Sequence, residues 1–181
     1  MLSLRRRRRQ SGDFLVEMAL SFLLFLGMVL GLMDLSMVVF IRGLFQHAVR
    51  EGARFAITFS PKYNGLTCTT QSACIIKVVQ DNSLGFLTGT NASAIKIKYY
   101  APNDLSKAIT SSDLPITLAS GVKVNYINQT GNVVEVSVQN YVWRWMAPYA
   151  DMFPGTGTRL GAASSDVLQG YAVGQTAPPT P

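Results

Sequence analysis

The stretch from Arg5 to Ile41, RRRRRQSGDFLVEMALSFLLFLGMVLGLMDLSMVVFI, decides the reading of this chain. Five consecutive arginines precede Gly12, and an apolar run from Phe14 to Ile41 follows, broken near its start by Glu17. At 1.5 Å per helical residue that run is about 42 Å long, more than the roughly 30 Å hydrocarbon core of a bilayer. It is too long for the apolar region of a secretory signal, and no small-x-small cleavage pattern follows it. Arginines stay on the cytoplasmic side, which places the N-terminus inside and residues 42–181 outside. A carboxylate at the start of a membrane segment is costly in hydrocarbon and marks a function rather than a plain anchor. Gly12 with a glutamate five residues later reads as a cleavage site followed by an assembly helix.

The charge balance supports the same division. The formal charge is +6, but Arg5 to Arg9 supply five of the sixteen basic residues, and all ten acidic residues lie from Asp13 onward. Beyond residue 12, eleven basic residues face ten acidic ones. The basicity therefore belongs to a short leader and not to a broad face for nucleic acid, and no nucleic-acid partner is expected. The two cysteines, Cys68 and Cys74, fall in the outer part. In an oxidising compartment a C-x5-C pair closes a small disulfide loop, the alternative being two free thiols. With no histidine nearby the pair is a poor zinc site, so neither metal nor cofactor is expected.

Along the chain, residues 13–58 read as one long helix, transmembrane over about 14–41 and then carrying Leu44, Phe45, Ala48, Val49, Gly52, Phe55 and Ala56 at helical spacing. Pro61 and Asn64-Gly65 break it. The segment ACIIKVVQDNSLGFL predicts a short amphipathic helix with Ile75, Val78, Val79 and Leu84 on its apolar side. Alternation predicts strands at Ile95–Tyr100, with Lys96 and Lys98 on one face, at Val122–Ile127, and at Val133–Trp143, the longest. Gln129-Thr130-Gly131-Asn132 between the last two predicts an antiparallel hairpin. Pro148 and Pro154 bound a loop with Met146, Tyr149, Met152 and Phe153, and residues 158–172 return as a last strand. The expected fold class is α+β. A leader (1–12) precedes the long helix, and a small domain (59–175) follows with an antiparallel sheet packed on the helix. A disordered tail (176–181) ends the chain.

No catalytic constellation emerges: no nucleophile elbow, HExxH, P-loop or dinucleotide glycine pattern is present. His47 is the single histidine, expected as a surface group paired with Glu51 rather than a base. The chain reads as a structural protein, not an enzyme.

Gly12 followed by Asp13-Phe14-Leu15-Val16-Glu17 resembles the processing site of type IV prepilins and pseudopilins, which a membrane aspartyl protease cuts after the glycine. The wider sequence looks like the TadE family of tight-adherence (Flp) pilus systems. Gly31-Leu32-Met33-Asp34 and the stretch Ala48-Val49-Arg50-Glu51-Gly52-Ala53-Arg54-Phe55-Ala56 carry that likeness, over about residues 10–58. Met18 and Asp13 depart from it, the family usually having aromatics there. The resemblance implies a minor pilin or pseudopilin in a bacterial inner membrane, with a pilin-like periplasmic domain. It also implies a prepilin peptidase, other Tad pilins, the inner-membrane assembly platform and membrane lipid as partners. It does not separate the TadE from the TadF type, or a tip adhesin from a biogenesis scaffold. The reading from another class is a permanently anchored periplasmic interaction or ligand-binding module, which keeps its arginines.

Cleavage after Gly12 would free an amine on Asp13, positive near neutral pH. Glu17 then either pairs with the amine of a neighbouring subunit, which lowers the cost of burying both charges, or snorkels at the cytoplasmic boundary. Asp34, about 25 Å further along the helix, either pairs with Arg42 of a partner, caps helix packing, or reaches water at the opposite boundary. Gly27 and Gly31 form a small-residue notch suited to a subunit contact. Ala48, Gly52 and Ala56 form a second notch, expected to pack on the protein's own sheet. Arg50, Glu51 and Arg54 either orient the sheet on the helix or face a partner. Trp143, Trp145 and Tyr149 belong to the core or to a membrane surface.

Overall fold

The computed structural model describes residues 4–60, 62–117, 121, 123–124, 127–145 and 157–169. Helix α1 runs unbroken from Leu4 to Ile57, so it begins inside the expected leader rather than at residue 13. Its last carbonyls are closed by tight turns, Thr58 N–H to Phe55 O at 3.0 Å and Phe59 N–H to Ala56 O at 3.3 Å. Strands β1 (Lys62–Tyr63) and β2 (Leu66–Thr67) pair across Asn64-Gly65, where both residues have positive φ. Helix α2 (Gln71–Asp81) is capped by Thr70, whose hydroxyl accepts from the Ala73 N–H at 3.1 Å.

A short 3-10 turn (Gly89–Ala94) leads into β3 (Ile95–Ala101), which turns back as β4 (Asp104–Ile109). Two two-residue strands, β5 (Ile116–Thr117) and β6 (Lys123–Val124), pair with each other. Strands β7 (Val133–Trp143) and β8 (Thr158–Val167) complete a four-stranded sheet of order β4-β3-β7-β8. β3 pairs antiparallel with both β4 and β7. Leu168 exchanges hydrogen bonds with Gly131 and Asn132 at the start of β7, while Gly161 lies against the Val138 carbonyl further along; β8 is therefore antiparallel to β7.

The expected alternation holds in β3 and β7. Ile95, Ile97 and Tyr99 sit opposite Val138, Val136 and Val134, and five of these six are buried; Lys96 and Lys98 are exposed. Each fully buried aliphatic side chain contributes about 1.5–3 kcal/mol relative to exposure.

Two expectations fail here. The hairpin of 122–127 with 133–143 does not form: Lys123–Val124 pairs with Ile116–Thr117, and β7 takes β3 and β8 as neighbours. Leu84 is 69% exposed and lies past the end of α2 with φ of 50°; Leu87 is fully buried. Strand β4 has no counterpart in the sequence reading, and β8 ends at Val167 rather than 172. The loop at Pro148–Pro154, Tyr149 and the tail lie outside the described residues.

Two compact units emerge, Met1–Phe40 with Trp143–Thr158, and Ile41–Val142 with Arg159–Pro181. In the second unit the outer end of α1 packs under α2 and the sheet, with Ile41, Phe45, Ala48, Val49, Ala53 and Ala56 all buried. The Phe45 ring meets Tyr141 edge-on, centroids 4.9 Å apart.

Candidate helix assembly surface and packing motif

Residues 12–26 of α1 are exposed on every side, including Gly12, Asp13 and Glu17. Glu17 stands among exposed apolar neighbours, with Phe14 and Leu15 each 65% and Met18 61% exposed. A carboxylate surrounded by apolar side chains and open to a partner suits charge pairing between helices. Among the described residues, the helix's own backbone aside, nothing lies within 4 Å of where a side chain at Gly12 or at Gly31 would begin. Gly27 and Gly31 are both half-buried along the helix, and the space in front of Gly31 is open. Asp34 is only 2% exposed, which overturns the option of an acid reaching water.

The Arg50-Glu51-Gly52-x-Arg54 stretch divides cleanly between inside and outside. A side chain at Gly52 would begin 2.6 Å from Val79 Cγ2, 3.3 Å from Val136 Cγ1 and 3.6 Å from Ile75 Cγ2. With Ala48 and Ala56 fully buried, the second notch packs on the protein's own α2 and β7, as expected. Arg50 and Arg54 are exposed, and Glu51 is half-buried. His47 is exposed but makes no ion pair with Glu51; among the described residues the ion pairs are Lys77–Asp81 at 3.7 Å and Lys107–Asp113 at 2.8 Å.

Cys68 and Cys74 are joined, S–S 2.05 Å, with Cys74 fully buried in the first turn of α2. Gln71, between them, was not singled out by the sequence. Its Nε2 donates to the Ala56 carbonyl at 2.8 Å, and its Oε1 accepts from Asn128 Nδ2 at 2.6 Å. Both side chains are fully buried. A glutamine at the start of a helix inside a disulfide loop is the faint signal available; its partners are 15 and 57 residues away.

A shallow cavity of about 340 Å³ lies beside the β3–β4 hairpin, lined by Ala101, Asp104, Lys107, Ile109, Asp113 and Ile116 among others. Its charges engage each other. Lys107 pairs with Asp113, and Thr110 donates to Asp113 through both backbone and hydroxyl; together they hold the Asp113 carboxyl well below the ordinary range. Ser106, through its hydroxyl and its backbone N–H, lowers the pKa of the Asp104 carboxyl. Among the described residues no group of three or more metal-ligating side chains occurs.

Among the described residues one helix, Gly12–Ile57, is long and apolar enough to cross a membrane. Residues 12–54 match the family model described as TadE-like protein. Over that stretch, about a quarter of the chain, the sequence is similar to the TadE-like family. No curated protein and no solved structure matches it. The matched segment covers the exposed helix, Gly31, Asp34 and the Arg50–Arg54 stretch. The TadE-like helix therefore joins a bare apolar half, open to other molecules, to a half held by its own domain. It fits a single-pass membrane anchor, and the likeness suggests a minor pilin associated with other Tad pilus components.

Proposed function

We propose that this protein is a TadE-like minor pilin or pseudopilin that is cut after Gly12 by a prepilin peptidase. Its helix then enters a tight-adherence pilus or the complex that initiates it. The observation that carries this reading is the overlap between the TadE-like match and a helix bare on all sides over residues 12–26. Glu17 pairs with the new amine of Asp13 on a neighbouring subunit and so sets axial register, since a mis-stepped neighbour leaves both charges unpaired in hydrocarbon. The open side of Gly31 admits the neighbour's backbone, as small residues do where membrane helices meet. The domain after the helix lies in the periplasm and acts in assembly and adhesion rather than catalysis.

Intact mass and N-terminal sequencing of the protein from native membranes test this. A chain beginning at Asp13 is expected. A chain retaining Met1 in cells with an active prepilin peptidase would replace this reading with the permanently anchored periplasmic module.

A further inference from the structure

The TadE-like helix changes character at Gly27. Before it every residue from 12 is exposed, whereas Gly27, Leu30, Asp34 and Val38 are half-buried or buried. These positions fall at three- and four-residue steps and so share one face, while Met28, Leu32, Met33 and Leu35 are exposed. The change falls within the membrane span. Twenty or so residues from Phe14 cross the roughly 30 Å hydrocarbon layer and end near Asp34. One face of α1 is therefore covered over the last two turns of the span and just beyond it.

The same compact unit as this part of α1 contains Trp143–Trp145. There β7 ends in Trp143-Arg144-Trp145, the two tryptophans being the only ones in the protein. Trp143 is half-buried, its Nε1 covered, so that it supplies ring surface beneath, while Arg144 is exposed and Trp145, 37% exposed, is the ring open to its surroundings. Tryptophan with an apolar ring and one N–H, and arginine with an apolar stem and a charged head, are the side chains that settle at the boundary between acyl chains and headgroups.

We propose that Trp143-Arg144-Trp145 is a second membrane contact. It seats in the headgroup boundary of the leaflet at the end of the span far from the arginine leader, alongside α1. The partner is the lipid surface itself. The contact holds Trp143–Trp145 at a set depth in the headgroup layer. This rests on the membrane-span part of the proposed function and not on cleavage after Gly12.

The test uses the full-length protein reconstituted into phosphatidylcholine–phosphatidylglycerol vesicles, with tryptophan emission as readout. Flotation with the vesicles first establishes that α1 is inserted, so that failure of the span and failure of the second contact are told apart. Vesicles containing lipids brominated near the glycerol backbone or at the acyl ends are then compared, for the native chain and for Trp143→Phe and Trp145→Phe. The expected result is loss of most of the emission with shallow bromines, less with deep ones, and little with aqueous acrylamide, Trp145 carrying the larger share. Emission in floated vesicles that resists both bromine depths overturns the proposal, whether acrylamide then quenches it, as for a water-facing segment, or not, as for one buried in protein.

Discussion

Gln71 Nε2 donates to the carbonyl of Ala56 at 2.8 Å, so that the first residue of α2 closes the last turn of α1. The final carbonyls of any helix lack intrahelical donors, and here a side chain from inside a disulfide loop supplies one. Asn128 donates in turn to the Gln71 oxygen, which ties the segment before β7 to the same point.

Gln71→Leu keeps the volume and removes both bonds where water does not enter, Gln71 and Asn128 being fully buried. The expected loss is about 1–3 kcal/mol of stability. Denaturant unfolding of the full chain in detergent measures it, with faster hydrogen exchange over the last turn of α1 as the local signature. Unchanged exchange there would remove the cap from the account.

Cys68–Cys74 closes the loop that carries Gln71. A loop this short constrains the unfolded chain by about 2 kcal/mol. Reduction, or Cys68→Ser with Cys74→Ser, should cost about that much and raise exchange at the end of α1 as Gln71→Leu does. Two labelled thiols in protein freshly isolated without reductant would show that the bridge is not formed in the cell.

Gly52→Ala sets a methyl 2.6 Å from Val79 Cγ2 and should destabilise by about 1–3 kcal/mol through overpacking. Adding Val79→Ala should recover part of that loss, giving a coupling energy in a double-mutant cycle. Arg50→Ala and Arg54→Ala, on exposed positions, should stay within about 0.5 kcal/mol of the native chain. A defect in pilus assembly without a change in stability would then place those arginines against a partner.

Glu17→Ala and Gly31→Leu should both insert and fold normally, since Glu17 is exposed and Gly31 has open space before it. Both should impair assembly, scored by pilus counts and by co-purification with other pilins. Gly12→Ala should leave an uncut precursor. Normal piliation in the Glu17 variant would remove the register role assigned to that carboxylate.

Asp113 offers a pH test. Its folded-state pKa is lowered by Lys107 and Thr110, so its contribution to stability is present above the ordinary carboxylate value of about 3.9 and fades as pH falls below it. Carbon-13 resonances of labelled aspartate should titrate for Asp113 with a midpoint below that value. Lys107→Met should move the midpoint up toward it.

The long apolar helix, the limits of β7 and the Ala48–Gly52–Ala56 packing stripe were legible because each is written in local periodicity or composition. Gly52 even announces its close approach by lacking a side chain. The hairpin expected across Gln129–Asn132 misled because the turn itself forms, Asn132 N–H donating to the Gln129 carbonyl at 3.1 Å, but the chain leaving it pairs elsewhere: Gly131 and Asn132 also bond to Leu168, which hands the start of β7 to β8. Leu84 misled because an apolar residue just past a helix end points where the turn sends it, and at φ of 50° that is outward.

The sequence by itself determined where the long apolar helix lies, where its packing stripe begins, and which face of the longer strands is apolar. A repeat of 3.6 or 2 residues and a run of charge need no distant partner to take effect. The tertiary structure alone decided that β7 sits between β3 and β8, that Asp34 is covered, and that Gln71 caps α1. Each of these depends on groups far apart in the chain meeting at hydrogen-bond or van der Waals distance, and no local pattern specifies which groups those will be.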